Sequence, residues 1–250
     1  MSENEEENIF KISHSARNTF IQCHKKYYYN YIEKRPKGRW DHLDLGNVCH
    51  SALEVFHDTL RFIKNQSAED LLNNIMSYAF YSARKEHSDV SNTIFLEAKK
   101  ILGEYLNNIK RDGLPHVIGA EIKINLDIGE GIIIRGYIDR IDLMSDGVFR
   151  IVDYKTSKTS KYLTKMQLGT YGLWLKENYP EVKSFVGSYV LLKHNSKYMD
   201  FNFSDSDLLK IKEKYIETAK EIMLEEEWKT SSGPLCGWCD YKDFCPAYSW

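Results

Sequence analysis

The chain has no run of 18 apolar residues and no basic leader followed by an apolar stretch. Neither a membrane span nor a secretory signal is expected, and the cytoplasm is the expected compartment. Internal repeats, low-complexity tracts and helicase motifs are also missing, which argues against an array, a disordered linker and a built-in motor. Charge is nearly balanced: 34 basic against 36 acidic residues leave a net charge of −2, so no global positive field attracts a polyanion. Local grooves stay open to one. Cysteine is sparse and unevenly placed. Five without a secretory signal do not make a disulfide framework, yet Cys236, Cys239 and Cys245 crowd the last fifteen residues, far from Cys23 and Cys49.

What is present is ordinary for a folded domain. A chain of 250 residues with 42% hydrophobic and 28% charged content buries a core for one or two domains. Residues 1–9 are acidic and expected to be a disordered tail. Helical patterns follow at 13–32, with Ser13 as N-cap, and at 43–63, 67–86 and 91–110; Ser67-x-x-Asp70 opens the third. From Val117 the pattern turns strand-like, over 117–128, 131–144 and 148–155. A helix at 163–178, strands at 184–193 and 197–203 and a helix at 204–228 complete an α/β chain with a helical insertion. It divides into a mostly helical part (13–116), a sheet-bearing core (117–203) and a C-terminal helix with a Cys-rich segment (204–250), all within one domain.

The chemistry concentrates where two strands meet. Ile151 and Val152 lead into Asp153-Tyr154-Lys155, and alternation along a strand puts Asp153 and Lys155 on one face with Tyr154 on the other. A Ser145-Asp-Gly147 turn joins this strand to the preceding one as a hairpin, which brings Asp139 towards Asp153. Two carboxylates and one ammonium suit a divalent metal and an activated water; a plain Asp153–Lys155 surface salt bridge is the competing reading. Asp139 lies among apolar residues, where a carboxylate needs a partner or a metal. Glu121, also in an apolar strand, is a possible accessory to the same site.

Three further groups stand out. Gly46-x-x-x-His50 puts a glycine and an imidazole on one helix face. Gln167-x-x-x-Tyr171 does the same for two polar side chains, and Lys158, Lys161 and Lys165 form a run suited to phosphates. Near the start, basic residues from Lys25 to Arg39 interleave with Tyr27, Tyr28, Tyr29 and Tyr31. That pattern fits either stacked bases on a single strand or tyrosines in the core. Finally, Cys236-x-x-Cys239-x5-Cys245 supplies three thiolates, and Cys23, at helical spacing with Phe20 and Tyr27, can supply a fourth. Four thiolates hold zinc or an iron–sulfur cluster. Cys49 has no place in that set and reads as packing.

Taken in order, Gly46-x-x-x-His50, Gly136-Tyr-Ile-Asp139-Arg140, Val152-Asp153-Tyr154-Lys155 and Gln167-x-x-x-Tyr171 resemble the RecB-like branch of the PD-(D/E)XK nuclease superfamily. With the cysteines, the chain is similar to the iron–sulfur variety seen in AddB nuclease domains and in CRISPR-associated RecB-like exonucleases. The resemblance implies a restriction-endonuclease-like α/β sheet flanked by helices, with a cluster-stapled C-terminus. It implies Mg²⁺ or Mn²⁺ held by His50, Asp139, Asp153 and the Tyr154 carbonyl, with Lys155 activating water and Gln167 and Tyr171 organising the site. It also implies a structural [4Fe–4S] cluster on Cys23, Cys236, Cys239 and Cys245, with Zn²⁺ as the alternative. The expected activity is DNA hydrolysis for repair, recombination, phage or CRISPR-related processing, exonucleolytic and favouring single strands. Its expected partners are DNA and a helicase or a recombination or CRISPR protein. A non-catalytic nucleic-acid-binding scaffold and a zinc-stapled structure-specific endonuclease are the rival readings.

Overall fold

The computed structural model describes residues 9–38, 40–63 and 69–248. The acidic residues 1–8, Arg39 and the expected cap Ser67 lie outside the described residues. The chain forms two compact units: one takes residues 39–123 and 137–208, the other residues 1–38, 124–136 and 209–250.

The larger unit is a helical layer on a mixed sheet. Helices α3 (Asp41–Arg61), α4 (Glu69–Glu86) and α5 (Asn92–Asp112) pack through one apolar core. Phe56, Leu60, Ala79, Ala98 and Leu102 meet there, and Val152, Tyr154, Val190 and Leu192 of the sheet close the same core. Ala79 and Ala98 are fully buried, and their small side chains let the helix backbones approach closely. In the sheet, β3 (Ile132–Leu143) and β4 (Phe149–Lys155) are antiparallel, as the turn at residues 145–147 requires. Then β4 runs parallel to β5 (Phe185–Leu191), and β5 antiparallel to β6 (Lys197–Asn202). The parallel pair needs a crossover, which α6 (Met166–Asn178) supplies. A Cβ added at Gly172 of α6 would lie 1.9 Å from the Phe185 ring, so glycine is what lets this helix settle on the sheet. That seat carries Gln167 and Tyr171 towards the end of β4.

The smaller unit holds the chain's beginning and end. Here β1 (Phe10–Ser13) pairs in parallel with the first half of β3, from Ile132 to Arg135. This strand was not expected; four residues directly before a helix cap give too short an alternation to read. Ser13 caps α1 (His14–Gln22) as expected, its Oγ accepting from the Ala16 N–H at 3.1 Å. The single helix expected over 13–32 is instead broken at Cys23, whose backbone is extended (φ −168°, ψ 116°), before α2 (His24–Tyr27) and a wide helical turn to Ile32. The last helix, α7 (Asp205–Leu224), starts in the larger unit and runs on through the smaller, and β2 (Val117–Asp127) likewise belongs to both.

The tyrosine-rich stretch resolves in favour of packing. Tyr27 and Tyr29 are each only 5% exposed. Tyr27 stacks on Trp228 with the planes 2° apart, and Tyr29 packs on Tyr241 and Phe244. Lys25 and Arg35 cover the Tyr29 ring. These rings bind the C-terminal segment to the N-terminal helices, so they are not a free stacking surface.

Candidate active site

The larger unit brings six of the expected side chains into one connected group. The register Arg140↔Val152, continued by one step, sets Asp139 opposite Asp153. Asp139 Oδ2 accepts the Tyr154 N–H at 2.6 Å, and its Oδ1 lies 3.3 Å from His50 Nδ1. The other ring nitrogen of His50, Nε2, is 3.0 Å from the Tyr154 carbonyl oxygen. On the same strand, Lys155 Nζ sits 2.6 Å from Asp153 Oδ2 and donates to Gln167 Oε1 at 3.0 Å. Gln167 in turn donates to the Tyr171 hydroxyl at 2.8 Å. A Cβ at Gly46 would lie 3.4 Å from Thr156 Oγ1, an ordinary contact just beyond Lys155. Helix α3 passes the end of β4 there, with His50 one turn further on.

Burial and charge compete over the protons. At Asp153 desolvation, reinforced by Asp139, lifts the carboxyl to about 6, against the pull of Lys155. At Asp139 the same desolvation is outweighed by His50 and by the Tyr154 N–H, so its pKa falls below the ordinary value. Burial alone would lower His50, but Asp139 and Asp153 raise it to about 9. Glu121 is pushed up to about 7, by burial first and then by Asp139 and Glu54. Glu121 and Glu54 line, with His50 and Lys155, an open pocket of about 590 Å³. Glu54 was not singled out from the sequence. The signal was available, because it follows His50 by four residues and so shares its helix face.

Three oxygen-bearing groups and one imidazole form a hard donor set, of the kind that suits Mg²⁺ or Mn²⁺. As placed, Asp139 is held by His50 and the Tyr154 N–H, whereas Asp153 faces the Lys155 ammonium while its buried Oδ2 takes no hydrogen bond among the described residues. Among the described residues no three His, Cys, Asp or Glu side chains are arranged to hold an ion. Ligation there would need a neutral His50, because a ring nitrogen offers its lone pair only when unprotonated.

Behind this group stands a buried cation that the sequence reading passed over. Arg140, fully buried, points away from Asp139 to the opposite face of β3. Its guanidinium donates to the hydroxyls of Tyr105, Tyr154 and Tyr198 at 2.6, 2.7 and 2.8 Å. It pairs with both oxygens of Asp142 at 2.8 and 2.9 Å and lies 3.1 Å from His57 Nε2. One side chain thus ties α3, α5, β4 and β6 to β3, and holds the residue whose main chain faces His50 and Asp139. Arg140→Met leaves Asp142 buried without its cation, so we expect a loss of about 3–5 kcal/mol in urea unfolding. A loss under about 1 kcal/mol would show that the network is not structural.

His57 has a pH signature. Burial, and then Arg140, hold its pKa well below the ordinary imidazole value. The unfolded chain takes up a proton below about pH 6.5 that the native ring refuses. This contribution to stability is therefore present above about pH 6.5 and is lost as pH falls, by up to about 1.4 kcal/mol per unit. Nitrogen-15 NMR of the ring should find it neutral at about pH 5.5; a midpoint near 6.5 would contradict the burial argument.

Of the lysine run, Lys158 and Lys161 are exposed, whereas Lys165 meets Asp207 at 2.6 Å.

In the smaller unit, Cys23, Cys236, Cys239 and Cys245 line a single pocket of about 200 Å³. The extended backbone at Cys23 and short helical turns at Pro234–Trp238 and Lys242–Phe244 place them there. The Ser231 N–H donates to Cys23 Sγ at 3.4 Å and the Gly233 N–H to Cys236 Sγ at 3.3 Å, while burial raises the Cys239 thiol above its ordinary pKa. None of the five cysteines is in a disulfide. Cys49 is fully buried, and burial pushes its thiol up to about 12, as suits a packing residue.

An ATP-dependent helicase/deoxyribonuclease subunit of Streptococcus pyogenes serotype M3 (strain ATCC BAA-595 / MGAS315) is 28% identical over 158 residues. The match covers 59% of this chain and 14% of that protein. Its counterpart from serotype M49 (strain NZ131) matches to the same extent. A solved structure from Eubacterium rectale, provisionally assigned as an exonuclease, shares the fold with a TM-score of 0.54 at 15% identity, over 89% of this chain and 85% of its own. The family model of the PD-(D/E)XK nuclease superfamily matches from residue 11 to residue 246, and the chain belongs to that superfamily.

Proposed function

We propose that the chain is a Mg²⁺- or Mn²⁺-dependent deoxyribonuclease that shortens single-stranded DNA from its ends. The observation that carries this reading is the junction of His50, Asp139, Asp153, the Tyr154 carbonyl and Lys155 at the end of one hairpin. His50, Asp139, Asp153 and the Tyr154 carbonyl are the donors for the cation, with Glu121 as an accessory. Bound there, a divalent cation supplies Lewis-acid polarisation of the phosphate and neutralises its charge. Lys155, steered by Asp153 and Gln167, donates from Nζ to the attacking water or to a non-bridging oxygen as negative charge grows. Tyr171 holds Gln167 for that task. Hydrolysis adds one water across a P–O bond, leaving a phosphate on one fragment and a hydroxyl on the other.

Cys23, Cys236, Cys239 and Cys245 are proposed to hold a [4Fe–4S] cluster, or Zn²⁺ in its place, that joins the C-terminal segment to the first helices. The support is the convergence of all four on one pocket and the N–H donors to two of the sulfurs. The streptococcal relatives are named as helicase/deoxyribonuclease subunits, and this chain matches 14% of the length of one of them. On that likeness we propose a helicase partner that opens duplex DNA for this chain.

The exonuclease reading is tested with linear and closed-circular single strands of one sequence, at equal enzyme and Mg²⁺. Rapid shortening of the linear strand with the circle left intact is expected. Equal rates on both would replace exonuclease by endonuclease.

A further inference from the structure

From Tyr154 to Lys176 the chain carries five lysines and no acidic residue, although acids outnumber bases overall. The loop between β4 and α6 occupies the middle of this stretch, and it leaves directly from the pocket shared by His50, Lys155, Thr156 and Ser157. Both its ends are anchored. Lys155 is held by Asp153 and Gln167, the Thr164 carbonyl accepts from the Tyr189 hydroxyl at 2.8 Å, and Lys165 meets Asp207. Between the anchors the loop holds its own shape. Ser157 Oγ donates to the Thr159 carbonyl at 3.0 Å, the Lys161 N–H to Thr159 Oγ1 at 3.2 Å, and the Leu163 N–H to the Ser160 carbonyl at 3.0 Å.

On this braced loop Tyr162 is 78% exposed, more than any other aromatic residue among those described. Lys161 Nζ lies 5.8 Å from the ring centroid, and Lys158 and Lys161 make no ion pair among the described residues. We propose that Tyr162 is a base-stacking platform for the substrate: an unpaired nucleotide lies on its ring while Lys158 and Lys161 hold the neighbouring phosphates. This rests on the nuclease reading above and gives it a source of strand preference. In a duplex both faces of an internal base are covered by its neighbours, so the ring has nothing to receive and only the phosphate contacts remain.

The test is fluorescence anisotropy in EDTA, with a labelled thymidine oligonucleotide and a blunt duplex of equal length. Wild type is compared with Tyr162→Ala, Tyr162→Phe and a Lys158→Ala/Lys161→Ala double variant. Tyr162→Ala should weaken single-strand binding about 5- to 150-fold and leave duplex binding unchanged, with Phe close to wild type. The double lysine variant should weaken both and reduce the single-strand salt slope by about 1.4. Unchanged single-strand affinity in Tyr162→Ala, equal losses on both substrates, or no single-strand binding by wild type would each overturn the proposal. Binding is read without divalent cation, so the two readings fail separately. A wild type that cleaves no DNA, alongside a selective loss in Tyr162→Ala, removes the nuclease and keeps the platform. Cleavage by wild type alongside unchanged binding by Tyr162→Ala removes the platform alone.

Discussion

Asp153→Ala should abolish cleavage, a fall of about 10³-fold or more, and leave the protein folded. The carboxylate is 3% exposed as a side chain and stands beside Asp139, so in the metal-free protein its removal relieves a like-charge contact. What disappears is a donor for the cation, whose charge stabilisation is worth several kcal/mol. Lys155→Ala should also lose about 10²- to 10³-fold, by a different route. Divalent binding, read by titration calorimetry with Mn²⁺, should vanish in the Asp153 variant and persist in the Lys155 variant. Wild-type rates in Asp153→Ala would place the chemistry elsewhere.

Cys239→Ser should destabilise the smaller unit rather than slow the chemistry alone. A group held by Cys23, Cys236, Cys239 and Cys245 closes a loop of more than two hundred residues, and metal binding to such a site is folding free energy. Structural sites of this kind contribute on the order of 10 kcal/mol, so losing one of four ligands should remove several. The rings of Tyr27 and Tyr29 that pack on Trp228, Tyr241 and Phe244 should become open to solvent with it. Limited proteolysis should then cut both ends of the chain early. Iron in anaerobically purified wild type supports the cluster, and zinc without iron supports the alternative; neither metal would dismiss the site.

How much of this was legible depended on how local the signal was. The meeting of Asp139 and Asp153 could be read because a turn and two alternating strands fix a register within twenty residues. His50 and Gln167 could be read because each repeats a partner at helical spacing. Arg140 was overlooked for the opposite reason: its partners Tyr105, Tyr198 and His57 lie far away in sequence, and no spacing rule joins them. A fully charged residue at a core-facing strand position was the available clue. At Cys23 the helical spacing with Phe20 and Tyr27 suggested an unbroken helix. The backbone is instead extended there, and Cys23 lines one pocket with the other three. The tyrosine patch had two readings because Lys–Tyr alternation looks the same on a base-stacking face and at a packed junction. Burial chose the junction for Tyr27 and Tyr29, while the most exposed ring, Tyr162, sat in a loop that periodicity ignores.

The measurement closest to the central claim is hydrolysis of end-labelled, linear single-stranded DNA by anaerobically purified wild-type protein, with Mg²⁺ or with EDTA. The account predicts rapid shortening in Mg²⁺, none in EDTA, and none in either condition for Asp153→Ala. Wild-type protein that leaves the strand intact in both Mg²⁺ and Mn²⁺, or that cuts it equally well in EDTA, would contradict it.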